Sequence, residues 1–225
     1  MLAKLKRVYY KVKDFRYTKI SYAQEGEDLL LERIFESKLQ GFYIDVGAHH
    51  PKRFSNTYLF YKKGWRGINI DAMPNSMTSF NKIRPNDINL EAGISQVEQV
   101  LTYYMFPEPA LNGFDKQMSE SRDMPIIDKK EVHTFPLHVV LDKYLPLDQE
   151  ISFLSVDVEG YDLEVLQSNN WDKYRPLIVL VEILEAKVEN IFETGIHKFL
   201  NSKGYVFYCK SPNTVFYKIK SCSLN

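Results

Sequence analysis

Two hydrophobic rhythms run along this chain: short, nearly unbroken apolar runs, and stripes at helical spacing. Phe42-Tyr43-Ile44-Asp45-Val46-Gly47 follows Gly41 and reads as a buried strand ending in a tight turn. Gly67-Ile68-Asn69-Ile70-Asp71 reads as a second strand, and residues 87–92, closed by Gly93, as a short third. The run 151–156 reads as an apolar strand that runs into Asp157, and 177–182 as another, nearly all apolar, that ends in Glu182. Between the strands lie helical patterns. Ser21 followed three residues later by Gln24 fits a capping box ahead of the stripe Leu30, Leu31, Ile34 and Phe35. Helices are further predicted over 56–63 with Gly64 as the stop, 75–83 ended by Pro85, 141–145, 161–167, and 185–200 ended by Gly204. Residues 97–106 and 135–140 carry strand-forming side chains. Residues 205–210 and 214–220 alternate around Ser211-Pro212-Asn213 and predict an antiparallel hairpin.

Strands separated by helices, with uninterrupted apolar strand cores, predict an α/β fold. Its sheet is mostly parallel, covered by helices on both faces, and carries one antiparallel strand from the C-terminal hairpin. The polar stretch after Phe106, punctuated by Pro107, Pro109 and Pro125, has no visible periodicity as far as Glu131. A link of that length inside a compact domain is a lid or substrate-side insertion over 107–134, or a decorative loop. The expected organisation is a basic arm over residues 1–20 and a single domain over 21–225.

Composition narrows this little. At 225 residues, 44% hydrophobic and 26% charged, with 29 basic against 29 acidic side chains, the chain is ordinary for a soluble domain. Zero net charge argues against a whole-surface nucleic-acid binder. The first 20 residues are the exception: seven basic side chains against Asp14 leave them at +6. Leu2, Leu5, Tyr9, Val12 and Phe15 recur there at helical spacing, which suits a solvated arm packed on the domain or peripheral contact with an anionic surface. No apolar run approaches the ~18 residues of a membrane span. With only Cys209 and Cys222, a reducing cytoplasm is the expected compartment.

The candidate chemistry sits at the strand ends. In an open parallel sheet the ligand crevice lies at the carboxyl ends of the strands, near the switch in strand order. Asp45, Asp71, Glu91, Asp157 and Glu182 all fall at such ends, and each costs desolvation energy unless something pairs with it. The turn at Gly47 lacks the remaining glycines of a dinucleotide fingerprint, yet a single tight glycine lets backbone approach a ligand. Asp71, 26 residues after Asp45 on the adjacent strand, is placed to accept both hydroxyls of a ribose, or is an ordinary turn acid before Pro74.

Several separated stretches carry a family resemblance. They are Tyr22-Ala23-Gln24-Glu25-Gly26-Glu27-Asp28, Gly41 to His49, Lys63-Gly64-Trp65-Arg66-Gly67-Ile68-Asn69-Ile70-Asp71, Ser155-Val156-Asp157-Val158-Glu159-Gly160-Tyr161-Asp162 and Ile178-Val179-Leu180-Val181-Glu182-Ile183. In this order and spacing the sequence resembles the FkbM family of S-adenosyl-L-methionine-dependent methyltransferases. The resemblance implies a Rossmann-like class I methyltransferase sheet. It implies that the turn at Gly47 lies against the methionine part of the cofactor, that Asp71 binds the ribose, that residues 91–94 flank the adenine, and that Asp157 stands near the sulfonium and the acceptor. The candidate cofactor-binding set is Gln24, Asp45, Gly47, Ala48, His49, Asn56, Asp71, Ala72, Glu91, Ala92 and Asp157. In this family the second strand often ends in Glu-Pro where this chain has Asp71-Ala72.

The implied reaction is O-methylation of a sugar hydroxyl in a glycan, glycolipid or nucleotide sugar, which needs a base to take the hydroxyl proton. Candidates are Asp157, Glu159, Glu182, His49 and His50, with Asp157 read as the cofactor-side anchor and Glu159 or His49 as the base. Each has a plainer reading: Glu159 as a helix cap, His50 as a loop-ordering residue, Gln24 as the capping-box glutamine, Asn56 as a cap. Trp65 reads as core. No metal is required, and none is expected. An oxygen-rich divalent site from Asp157, Glu182 and a histidine is the alternative. Rival functions are N-methylation or methylation of a small metabolite, a catalytically silent carbohydrate-binding protein on the same fold, and an NAD-dependent enzyme.

Overall fold

The computed structural model describes residues 17–184 and 187–221. The predicted arm helix and Cys222 therefore lie outside the described residues, apart from residues 17–20 of the arm. The strands are β1 (Phe42–Val46), β2 (Arg66–Asp71), β3 (Ile88–Glu91), β4 (Gly93–Ile94), β5 (Gln99–Met105), β6 (Asp128–Phe135), β7 (Phe153–Val156), β8 (Ile178–Glu182), β9 (Tyr205–Lys210) and β10 (Thr214–Ile219). The α-helices are α1 (Glu27–Ile34), α2 (Tyr58–Lys62), α3 (Met77–Ile83), α4 (Lys116–Ser121), α5 (Leu137–Tyr144), α6 (Asp162–Gln167) and α7 (Gly195–Ser202). No helix among the described residues is long and apolar enough to cross a membrane.

Seven strands form one sheet in the order β3-β2-β1-β7-β8-β10-β9. The five strands from β3 to β8 are parallel, and β10 runs antiparallel to both β8 and β9, as the alternating C-terminal pattern predicts. Successive strand residues point to opposite faces, so the apolar runs feed two cores. Ile44, Val46, Leu154, Val156, Val179 and Val181 pack beneath Leu137, Val140 and Leu141 of α5 and Val165 and Leu166 of α6. Tyr43, Phe153, Ile178, Leu180 and Phe216 meet Leu31 of α1, Phe60 of α2 and Trp65 on the other face. Trp65 is core, as expected. From β1 the chain winds outward through β2 to β3, then returns to β7 on the opposite flank. The loops after β1 and β7 consequently splay apart at the switch point, where an open α/β sheet has its crevice.

Three local expectations fail, each for a physical reason, and one stretch carries more regular structure than its pattern shows. The capping box at Ser21 does not form. Ser21 and the Tyr22 N–H both donate to Asp28 (2.6 and 2.7 Å), Gly26 at φ 85° precedes α1, and Gln24 is left on the surface. The stretch 107–134 is not structureless. It holds a 3-10 turn at Pro109–Leu111, then α4, then β6, which pairs antiparallel with β5 and parallel with β4 in a second, three-stranded sheet. Asp128 to Glu131 are all exposed, so both faces of that half of the strand meet water and its polarity shows no strand alternation. Residues 135–140 do not continue as a strand, because Pro136 opens α5 and Leu137, Val140 and Leu141 then recur at helical spacing. The long helix predicted over 185–200 is interrupted. Among the described residues a 3-10 turn spans Ile191–Glu193, and α7 starts only after Thr194, whose hydroxyl accepts from the His197 N–H at 3.2 Å.

Candidate functional site

Two cavities open at the carboxyl edge of the sheet. The first, about 540 Å³, is lined by Gly47 and His49 after β1, Asp71, Ala72 and Met73 at the end of β2, Ala92 to Ile94, Tyr103, Pro109, Ala110, Asn112 to Phe114, and Asp157 to Glu159 after β7. The second, about 1000 Å³, shares Gly47, His49, Ala110, Asp157 and Glu159 with the first and adds Gln24, Arg53, Phe54, Glu108, Arg122, Glu182, Leu184 and Asn213. A smaller recess beside them is lined by Gln24, Asn56, Asp157 and Glu182.

Of the predicted site residues, the structure brings Gln24, Gly47, His49, Asn56, Asp71, Ala72, Ala92, Asp157, Glu159 and Glu182 to these walls. Asp45, Ala48, Glu91 and His50 do not reach them. Asp45 is buried and accepts from the Thr57 hydroxyl at 2.7 Å, and burial raises its pKa. Its carboxyl belongs to a polar network under the sheet edge: Asp45 precedes the last residue of β1, so its side chain takes the face opposite to Val46. Ala48 packs with Met77 and Phe80 of α3. Glu91 is exposed. His50 orders its loop, its Nδ1 accepting from the N–H groups of Lys52 (3.0 Å) and Arg53 (2.9 Å).

Gly47, at φ 83°, is required by a neighbour in the chain itself. A Cβ there would stand 1.7 Å from the Asp157 carbonyl oxygen. The close approach foreseen for a ligand is thus made by the loop after β7, and it fixes Asp157 beside the β1 turn. The β2 end is equally well held. Buried Asp71 accepts from the His49 N–H (2.7 Å) and the Met73 N–H (2.8 Å). Burial pushes its pKa up to about 6, while those two donors oppose the rise. Each carboxylate oxygen keeps a second lone pair, so the side chain can still accept hydroxyl groups from the cavity.

Across the cavity, Asp157, Glu159 and Glu182 each offer a carboxylate oxygen within 4.8 Å of the others. Asp157 is exposed to the cleft on one side and crowded by protein on the others. That crowding, then Glu182, Asp162 and Glu159, holds its pKa well above the usual carboxylate range. Desolvation and the same neighbours push Glu182 up to about 8, and one of its buried oxygens has no hydrogen-bond partner. Buried Asp162 accepts from the Gly160 N–H at 3.2 Å, and its pKa is pushed up to about 7, first by burial. Glu159 is taken by Arg122 in a half-buried ion pair. A cation, metal or organic, would find oxygen ligands in this cluster, and the histidine envisaged beside Asp157 and Glu182 is replaced by Glu159. His49 is half-buried, and burial, followed by Arg53, lowers its pKa, which keeps its ring neutral near pH 7.

Sequence reasoning missed Arg53, Phe54, Glu108 and Arg122. Two of them carry the 107–134 segment: Arg53 grips Glu108 through two hydrogen bonds (2.9 and 2.8 Å), and Arg122 reaches Glu159. These pairs join residues 37 and 55 positions apart, so no local pattern announces them. A search of curated proteins finds no match to this chain. The methyltransferase FkbM domain matches residues 45–207, which is most of the sequence and runs from the end of β1 to the first half of β9. The chain therefore belongs to the FkbM family of S-adenosyl-L-methionine-dependent methyltransferases.

Proposed function

We propose that this methyltransferase acts on a sugar hydroxyl of a glycan or glycolipid, holding its donor in the smaller cavity and its acceptor in the larger. One observation carries the reading: His49, Asp157 and Glu159 line both cavities, so a group in one faces a group in the other across the same wall.

The residues fit the donor. Ile70, Ala92, Ile94 and Phe114 give the smaller cavity an apolar slot for a purine, Asp71 offers lone pairs for ribose hydroxyls, and Asp157, Glu159 and Glu182 supply negative charge for a cation. The unpartnered Glu182 oxygen belongs to that same cluster. When bound, S-adenosyl-L-methionine supplies an activated methyl group on a cationic sulfur.

The protein's share is alignment and a proton acceptor. Asp157 fills the second role: it faces both cavities, whereas Glu159 is committed to Arg122 and the His49 Nε2 lies 3.3 Å from the Arg53 guanidinium. Burial, and then like-charge repulsion from the neighbouring Glu182 carboxylate, raises the basicity of Asp157. Residues 109–114 act as a lid that excludes water, fastened by the Arg53–Glu108 and Arg122–Glu159 pairs.

Incubation with methyl-labelled donor and a panel of glycosides, followed by mass spectrometry, tests this. An ether methyl on a sugar oxygen is expected. Label on nitrogen, or no labelled sugar at all, contradicts it.

A further inference from the structure

Phe54 is the one large apolar side chain on the loop 49–57 that the cores leave exposed, at 39%. It borders both the larger cavity and the recess beside Asp157 and Glu182. Its backbone sits at φ 55°, in the left-handed region that a bulky side chain rarely adopts. The surrounding loop enforces this: His50 Nδ1 caps the N–H groups of Lys52 and Arg53 on one side, and on the other the Ser55 N–H donates to the Tyr22 carbonyl at 2.9 Å. Strain of this kind persists where surrounding structure over-determines it, and it clusters at ligand clamps. The Arg53 guanidinium lies 4.1 Å from the ring centroid and is itself fixed by Glu108, so the ring is held in place before any ligand arrives.

The charge around the ring is equally telling. Glu108, Asp157, Glu159 and Glu182 line the larger cavity against Arg53 and Arg122, and both guanidiniums are already spent in ion pairs. Among the described residues no other guanidinium or ammonium lines the cavity to pair with a phosphate or carboxylate. Gln24 and Asn213 add uncharged amides to the same wall. We infer that Phe54 is an acceptor-binding platform on which an uncharged six-membered sugar ring stacks, and that the cavity refuses acceptors bearing an anionic group beside the reacting hydroxyl. The inference rests on the sugar-hydroxyl reading above and narrows it to neutral rings. Aromatic rings favour the apolar C–H face of such a ring, while the carboxylates and amides accept and donate to its hydroxyls.

The test compares neutral methyl hexosides with their 6-phosphates, read by steady-state methyl transfer and by saturation-transfer NMR on protein holding S-adenosylhomocysteine. The neutral rings are expected to be at least tenfold better by kcat/KM and to give the stronger NMR contact. Phe54→Ala should raise the acceptor KM about tenfold, change kcat less, and leave S-adenosylhomocysteine affinity within about twofold. Phe54→Trp should restore most of the KM. Phe54→Gly relieves the left-handed backbone and should raise KM as much as alanine does, which separates loss of the ring from loss of the loop. An unchanged KM in Phe54→Ala and Phe54→Gly, or a preference for the phosphates, overturns the inference and leaves the sugar-hydroxyl reading standing. Absence of any methylated sugar with the wild-type protein overturns that reading itself.

Discussion

Asp157→Asn is expected to lower kcat by about 10²–10⁴-fold, the usual contribution of a positioned general base. The substitution keeps the shape and removes the proton acceptor. Binding of S-adenosylhomocysteine, a neutral thioether, should change by no more than about threefold, because the carboxylate charge serves a cationic sulfur. The affinity for the methyl donor itself should fall further than that for the thioether. A companion measurement fixes the sign of the pH dependence. Crowding by protein and then the Glu182 carboxylate raise the Asp157 pKa, and Glu182 is itself pushed up to about 8. The reactive form of the pair is the deprotonated one, so kcat should climb as pH rises and level off once Asp157 is deprotonated, at a pH well above the usual carboxylate range. Glu182→Gln removes a negative neighbour, lowers the Asp157 pKa, and should move that climb toward lower pH. A profile that stays in place, or an asparagine variant that turns over normally, removes Asp157 from this role.

The second large effect lies under the site. Arg84 and Asp87 are both fully buried, and Arg84 Nε donates to Asp87 at 2.9 Å. Arg84 also reaches the Tyr43 hydroxyl (2.9 Å) and the Thr57 hydroxyl (3.0 Å), and Thr57 donates to Asp45. Asp87 accepts from the Gly67 N–H, the Tyr43 hydroxyl and the Asn69 amide. One guanidinium therefore ties β1, β2 and the loop entering α2 together beneath the crevice. Arg84→Ala strands the Asp87 and Asp45 carboxyls in the interior, and breaking a buried pair from one side costs about 3–5 kcal/mol. For a domain of this size that is a fall in melting temperature of roughly 6–20 °C. Thermal denaturation followed by circular dichroism measures it. A loss below about 1 kcal/mol would mean that the network bears little of the fold's stability.

The parts of this molecule that the sequence makes legible are those fixed by short-range rules. β1, β2, β7 and β8 are apolar runs buried on both faces, and the C-terminal hairpin alternates around a proline turn. Asp71, Asp157 and Glu182 stand at strand ends and reach the cavities, because an open parallel sheet converges its carboxyl edges. Asp45 escapes the same rule by one position. A strand has period two, so the residue before the last faces away from the crevice wall that its neighbour lines. The exposed, charged first half of β6 hides that strand, and the apolar spacing over 185–200 does not announce that Thr194 caps a helix starting at Gly195. Arg84, Phe54 and the two ion pairs that fasten residues 107–122 depend on contacts between distant parts of the chain. No periodicity encodes them, and only the backbone trace shows that Glu108 meets Arg53.

Co-crystallisation with S-adenosylhomocysteine tests most directly whether the crevice between β1 and β7 is the donor site. The expected density lies in the cavity beside Gly47, with the ribose hydroxyls on Asp71 and the sulfur turned toward Asp157. Density at any other surface, or a bound ligand that leaves Asp71 untouched, contradicts it.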